Sequence, residues 1–133
     1  MKKFDVAIIG SGPAGSSAAI KLAEQEVSAV IIDKETLPRY KTCGGGFAFR
    51  GRRKMPFDVS PAVAKEFYKV DSYFDKIDMH LVAERKEPII SMVMRDEFDK
   101  LLVDKAVTAG ATLLENHQAV SYTHLTLPTS YAV

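Results

Sequence analysis

Apolar positions come in short runs split by turn residues, and their spacing switches between strand and helix periods along the chain. Residues 4–9 read Phe-Asp-Val-Ala-Ile-Ile, a short, partly β-branched run that ends at Gly10 and predicts a buried strand. A helix is expected from Pro13, because proline suits a first helical turn whose N–H groups lack intrahelical partners. Ala18, Ala19, Leu22 and Ala23 then form a small-residue stripe suited to lying close on a sheet. A second apolar run, 29–32, closes at Asp33, so strand, helix and strand follow within about 30 residues as a βαβ unit.

Beyond Asp33 the periodicity fades. Residues 34–46 carry Pro38 and three consecutive glycines and read as an extended loop. Ser60 and Pro61 resemble an N-cap and first-turn pair, predicting a short helix to about residue 68. Residues 73–83 and 89–94 read as strands joined by a polar connection, an antiparallel excursion from the parallel sheet. Met92 and Met94, two apart, are expected to share a core face. A helix over 96–109 places Phe98, Leu101, Leu102, Ala106 and Ala109 on one side, with Gly110 as its C′ residue. Residues 112–114 would form one more strand. The pattern is that of an α/β fold built on a parallel sheet.

Composition narrows the function classes without choosing one. A formal net charge of +1 gives no global reason to expect a nucleic-acid partner. The single cysteine, Cys43, rules out an intrachain disulfide and fits a reducing, cytoplasmic setting. No run reaches the roughly 18 apolar residues of a membrane-spanning helix. His80, His117 and His124 show no ligand spacing, so no metal is expected.

Candidate chemistry begins at Gly10-Ser11-Gly12-Pro13-Ala14-Gly15. G-x-G-x-x-G alone is a weak signal, but here it follows a strand, opens a helix, and has a second strand ending in an acid. Gly10 permits the tight turn, Gly12 lets backbone approach a pyrophosphate, and Gly15 allows close helix–strand packing. N–H groups at the helix start, with the dipole behind them, attract the pyrophosphate. Asp33 is expected to accept from the adenosine ribose hydroxyls, which disfavours a 2′-phosphate and hence NADP at this site. The expectation is a Rossmann-like FAD/NAD(P)-binding domain. The N-terminal position and the long glycine-rich loop after the second strand favour FAD.

Gly10 to Gly15, then Asp33-Lys34, then Pro38-Arg39-Tyr40-Lys41-Thr42-Cys43-Gly44-Gly45-Gly46, resemble the geranylgeranyl reductase family of FAD-dependent oxidoreductases. Arg95-Asp96-Glu97-Phe98-Asp99 resembles that family's R-x-x-F-D segment. The first motif is shared by many flavoproteins; K-x-C-G-G-G is more specific. The resemblance implies a flavin-binding α/β domain joined to a substrate domain, and reduction of isolated double bonds in isoprenoid or lipid chains. Reduced flavin N5 would deliver hydride to one alkene carbon while a proton arrives from the other side. An unactivated alkene accepts hydride poorly, so positioning and exclusion of water should matter most. The electron donor, NADPH or ferredoxin, is left open, and a lipid substrate implies peripheral membrane contact. Family members are about three times longer, beyond the usual size of one domain. Residues 1–119 are therefore expected to form an FAD-binding domain incomplete at its C-terminus and inactive alone.

Cys43 reads two ways: a buried structural cysteine, or, as the resemblance implies, a thiol near the isoalloxazine that shapes the site or donates a proton, with Gly44 and Gly45 beside it. Arg95 reads either as a surface arginine before a helix or as a contact to the FAD adenosine or pyrophosphate, since an Arg fork suits phosphate; the resemblance implies the cofactor role. Arg39 and Lys41 read as solvated loop charge ahead of a phosphate contact. Arg50, Arg52, Arg53 and Lys54 read as a solvated basic face, with membrane or diphosphate contact as the lesser reading. Two further functions stay open: a flavin monooxygenase or halogenase, which the Cys43 to Gly46 loop disfavours, and an inactive nucleotide-binding module.

Residues 120–129 read Val-Ser-Tyr-Thr-His-Leu-Thr-Leu-Pro-Thr. This string resembles the translation of a reverse-complemented transposase adapter used in library preparation. Residues 120–133 are accordingly expected to be non-native; the alternative is a native half-buried strand over 120–127.

Overall fold

The computed structural model describes residues 2–120. His124 and all but the first residue of the expected adapter-derived tail lie outside them. The chain divides after Leu37 and again after Leu102 into two compact units.

The first unit contains β1 (Val6–Ile9), α1 (Pro13–Ala23), β2 (Ala29–Ile32) and β8 (Thr112–Leu114). Its sheet is parallel in the order β1-β2-β8, with Val6 opposite Ala29 and Val30 opposite Thr112. Ala29, Val30 and Ile31 on the central strand are buried, as a β-branched run between two neighbours should be. Helix α1 lies against β1 and β2. Its buried side is Ser16, Ala19 and Ile20, whereas Ala18 is exposed. The expected stripe is thus rotated by about one residue position, because a helical side chain covers the turn N-terminal to its own Cα.

The second unit holds β3 (Gly46–Ala48), α2 (Phe49–Arg52), β4 (Val63–Phe67), β5 (Lys69–Phe74), β6 (Met79–Glu84) and β7 (Ile90–Val93). Antiparallel strands run β3-β7-β4, and β5 and β6 form a separate hairpin, so the antiparallel excursion is present. Its core is Val59, Ala62, Val93, Phe98 and Leu102, with Phe47 stacked at a tilt on Phe98, ring centroids 5.2 Å apart.

Helix α3 (Arg95–Thr108) runs through the division at Leu102. Phe98 and Leu102 are buried in the second unit; Val103 and Ala106 are buried in the first. Ala109 is exposed, because the helix has ended. Gly110 (φ +117°) closes it: its N–H donates to the Val107 carbonyl and that of Ala111 to the Ala106 carbonyl, a Schellman pair.

Four further expectations are corrected. Strand β1, expected to be buried, has no buried residue and alternates half-buried with exposed, because it pairs on one side only among the described residues. The helix expected from Ser60 is one 3₁₀ turn, Ser60–Ala62, leading into β4. A bulge between Val63 and Lys65 shifts the alternation, so half-buried Glu66 turns toward Arg52 while Phe67 is exposed. This hides the strand period. The single strand expected over 73–83 is a hairpin broken by Asp75–Ile77, with Asp78 at φ +44°. Asp tolerates that left-handed conformation better than most residues. Met94 lies past the end of β7 and is 54% exposed; Ser91 and Val93 hold the buried face instead.

Candidate dinucleotide site and the Cys43 cluster

In the first unit, the glycine turn and the acid form one hydrogen-bonded assembly. The Gly10 N–H donates to the Ile32 carbonyl at 2.8 Å, continuing the β1–β2 ladder into the turn. Gly10 then adopts φ +98°, where a side chain would be strained. A Cβ on Gly15 would stand 2.0 Å from the Gly10 carbonyl oxygen, so this contact of helix and turn requires glycine. Gly12 is the N-cap of α1, with Pro13 at the first position, no side-chain cap and no acid in the first turn. Asp33 is buried; one of its carboxylate oxygens accepts from both the N–H (2.7 Å) and the hydroxyl of Ser11, the other from the Glu35 N–H. Its own N–H donates to the Leu114 carbonyl and its carbonyl accepts from the His117 N–H. Ser16 supports the turn by donating to the Ser11 carbonyl. Ala14 and Lys34 are exposed beside this assembly, with the Lys34 ammonium 3.9 Å from Glu35.

In the second unit, Cys43 sits in an exposed loop. Its sulfur accepts from the Gly45 N–H at 3.4 Å and from the Arg95 guanidinium. These two donors, Gly45 foremost, hold the thiol below its ordinary pKa, against the opposing effects of desolvation and of the Asp99 charge. Arg95 is the first residue of α3 and forks onto Asp99 one turn later, Nε to Oδ1 at 2.8 Å and Nη2 to Oδ2 at 2.9 Å. Asp99 is fully buried, and Arg39 approaches its Oδ2 at 3.5 Å. Arg39 is therefore no solvated loop charge: its side chain is 15% exposed. Asp99 and Cys43 together hold Arg95 firmly protonated.

The three glycines after Cys43 differ in what surrounds them. Gly45 (φ +70°) would bring a Cβ within 2.4 Å of the Val93 carbonyl oxygen, and its own carbonyl accepts from the Val93 N–H. It is required by β7. Gly46 begins β3, and only Gly44 faces open space. Arg52 is likewise no part of a solvated face: it donates to Glu66, Ser91 and Ser60 and ties α2 to the sheet. Arg50, Arg53 and Lys54 are exposed.

The pH dependence of Cys43 can be read directly. Iodoacetamide alkylation should reach half its maximal rate at a lower pH than a free thiol does, and Arg95→Gln should move that midpoint upward. A midpoint indifferent to Arg95 would remove the arginine from the account.

This strand, glycine turn, helix and acid are what a dinucleotide-binding domain requires, and residues 4–129 match the model of the pyridine nucleotide-disulphide oxidoreductase family. The chain belongs to that family. Among similar proteins, an uncharacterized protein of Methanosarcina barkeri is 37% identical over 92% of this chain and 32% of its own length. The chloroplastic geranylgeranyl diphosphate reductase of Arabidopsis thaliana is 29% identical over 85% of this chain and 24% of its own. A geranylgeranyl bacteriochlorophyll reductase-like structure from Thermoplasma acidophilum has the same fold, with TM-score 0.76 at 24% identity over 85% of this chain and 30% of that one. Flavin-dependent halogenases are also among the similar proteins. The oxidoreductase chain thus spans about a quarter to a third of the length of these relatives.

FAD is the cofactor of this oxidoreductase domain. The first unit fits it: a helix N-terminus with no side-chain cap and no acid in its first turn suits a pyrophosphate, and a fixed carboxylate stands at the end of the neighbouring strand.

Proposed function

We propose that the protein of which this chain forms a part reduces carbon–carbon double bonds of isoprenoid chains. The observation that carries this reading is the Cys43 loop, in which Gly45 and Arg95 hold an exposed thiol and Asp99 fixes the arginine. The names of the plant and archaeal relatives support it.

Each unit has its own task. In the first, the turn Gly10, Ser11, Gly12, Pro13, Ala14 and Gly15 receives the pyrophosphate on backbone N–H groups. Asp33 receives ribose hydroxyls, with Lys34 at the mouth as a solvated positive charge. In the second, Cys43 holds a proton at Sγ for delivery to the substrate carbon. Lowering its pKa makes it a stronger acid, which favours donation while the thiol is still protonated. Gly44 leaves room next to the thiol, Gly45 positions it, and Arg95 balances the thiolate once the proton has left. Bound FAD, once reduced by the external electron donor, would supply the hydride.

The test is a visible absorption spectrum of the full-length protein. Flavin bands that bleach with dithionite and recover on adding a polyprenyl substrate are expected. Cys43→Ser should retain the flavin and slow that recovery on the order of 100-fold, the size of a general-acid contribution. Unchanged recovery would reject the cysteine's role, and a protein that takes up no flavin would reject the whole reading. Recovery driven by oxygen and halide, with none by the polyprenyl chain, would select the halogenase alternative.

A further inference from the structure

A cavity of about 520 Å³ lies in the second unit, between α2 and the connection from β6 to β7. Arg50, Arg53, Lys54 and Arg85 line it together with Phe49 and Ile89, and no carboxylate lines it. This concentration is local, since the chain as a whole carries 18 lysines and arginines against 17 aspartates and glutamates. Among the described residues, Arg50, Arg53 and Lys54 form no ion pair, whereas Arg52 on the same turn is committed to Glu66. Arg85 meets Glu87 at 3.7 Å, but both side chains are more than half exposed and water screens that pair.

The walls are fixed by backbone. The Phe49 N–H donates to the Ile89 carbonyl, the Arg53 N–H to that of Phe49, and the Lys54 N–H to that of Gly51. Across the cavity, the Arg85 N–H donates to the Tyr68 carbonyl and the Ile89 N–H to that of Phe67. Arg85 also lies 6.0 Å over the Phe49 ring, which steadies its guanidinium. Four cations held around one cavity repel one another unless an anion joins them. Guanidinium forks match phosphate oxygens, and a diphosphate carries enough charge to engage several at once.

We propose that this cavity binds the phosphate or diphosphate group of a small molecule. Two sources carry that chemistry: the head of an isoprenoid diphosphate, which rests on the reductase reading above, and the phosphate of a nicotinamide dinucleotide electron donor, which does not.

The experiment is calorimetric titration of the full chain with inorganic pyrophosphate. Saturable binding is expected. Arg53→Gln with Lys54→Gln should weaken it at least about tenfold through lost charge-assisted contacts, while Lys21→Gln, in the first unit, should leave it unchanged. Both substituted positions are exposed, and far-UV circular dichroism checks that the variants stay folded. Equal affinity in the double variant, or no saturable binding by the parent chain, would overturn the proposal. Displacement by geranyl diphosphate supports the isoprenoid source; displacement by NADPH and not NADH supports the donor. Displacement by neither overturns the assignment to a small-molecule phosphate. Cys43 and the glycines of the flavin reading are untouched by these substitutions. Loss of that reading would therefore appear in the absorption spectrum and leave the pyrophosphate result standing.

Discussion

Gly15→Ala is expected to destabilise the first unit by about 2–3 kcal/mol, the upper range for forcing an extra methyl into a packed site, and to abolish flavin binding. The added methyl would stand 2.0 Å from the Gly10 carbonyl oxygen and 3.1 Å from Ile8 Cγ2. The first of these neighbours is backbone and has no rotamer by which to retreat. Relief requires α1 to move away from the turn. That shift would also move the Ser11 N–H and hydroxyl that hold the Asp33 carboxylate. Thermal denaturation followed by circular dichroism, with flavin retention read after desalting, measures both effects. A variant as stable as its parent and equally yellow would show that the turn yields more easily than the geometry indicates.

Asp99→Asn should be at least as damaging, about 3–5 kcal/mol, because it breaks a buried ionic group from one side. Asp99 is fully buried and receives the Arg95 fork and the approach of Arg39, whose side chains are 18% and 15% exposed. Without the carboxylate, two guanidinium groups face each other with little water to separate them. The loss should persist across neutral pH, since both arginines stay charged there. It should also speed Cys43 alkylation at fixed pH, because the Asp99 charge that opposes the thiolate is gone and Arg95 keeps only the thiolate to balance it. Chemical denaturation and alkylation rates on the same preparation separate the two consequences. Full stability with normal alkylation would mean that neither arginine depends on Asp99.

Much of the first unit was legible in the sequence because its requirements are local. The βαβ spacing, the glycines of the turn and the acid ending the second strand all fall within 30 residues or so, and each is set by backbone geometry. The strand at Thr112–Leu114 and the C′ role of Gly110 were legible for the same reason. The second unit was harder to read because its determinants lie far apart. Arg39 looks like loop charge until Asp99, 60 positions later, comes beside it. Arg52 looks solvated until the bulge in β4 turns Glu66 toward it. The break at Asp75–Ile77 hides inside an apolar run because Ile77 continues the pattern through the turn. One signal went unused: Arg95 and Asp99 stand four apart on a helix, the spacing of a facing pair, and that was enough to tie the arginine to the acid.

Strand β1 pairs with β2 on one side and has no second neighbour among the described residues. Its N–H and carbonyl groups on the far side form a row ready to accept another strand, and Ile9 beside them is 58% exposed. No proline, bulge or inward-pointing charge interrupts Val6–Ile9. An edge of this kind recruits whatever extended chain is nearest. At high concentration the nearest is the same edge of a second molecule, so association through that row of hydrogen bonds is expected to rise with concentration.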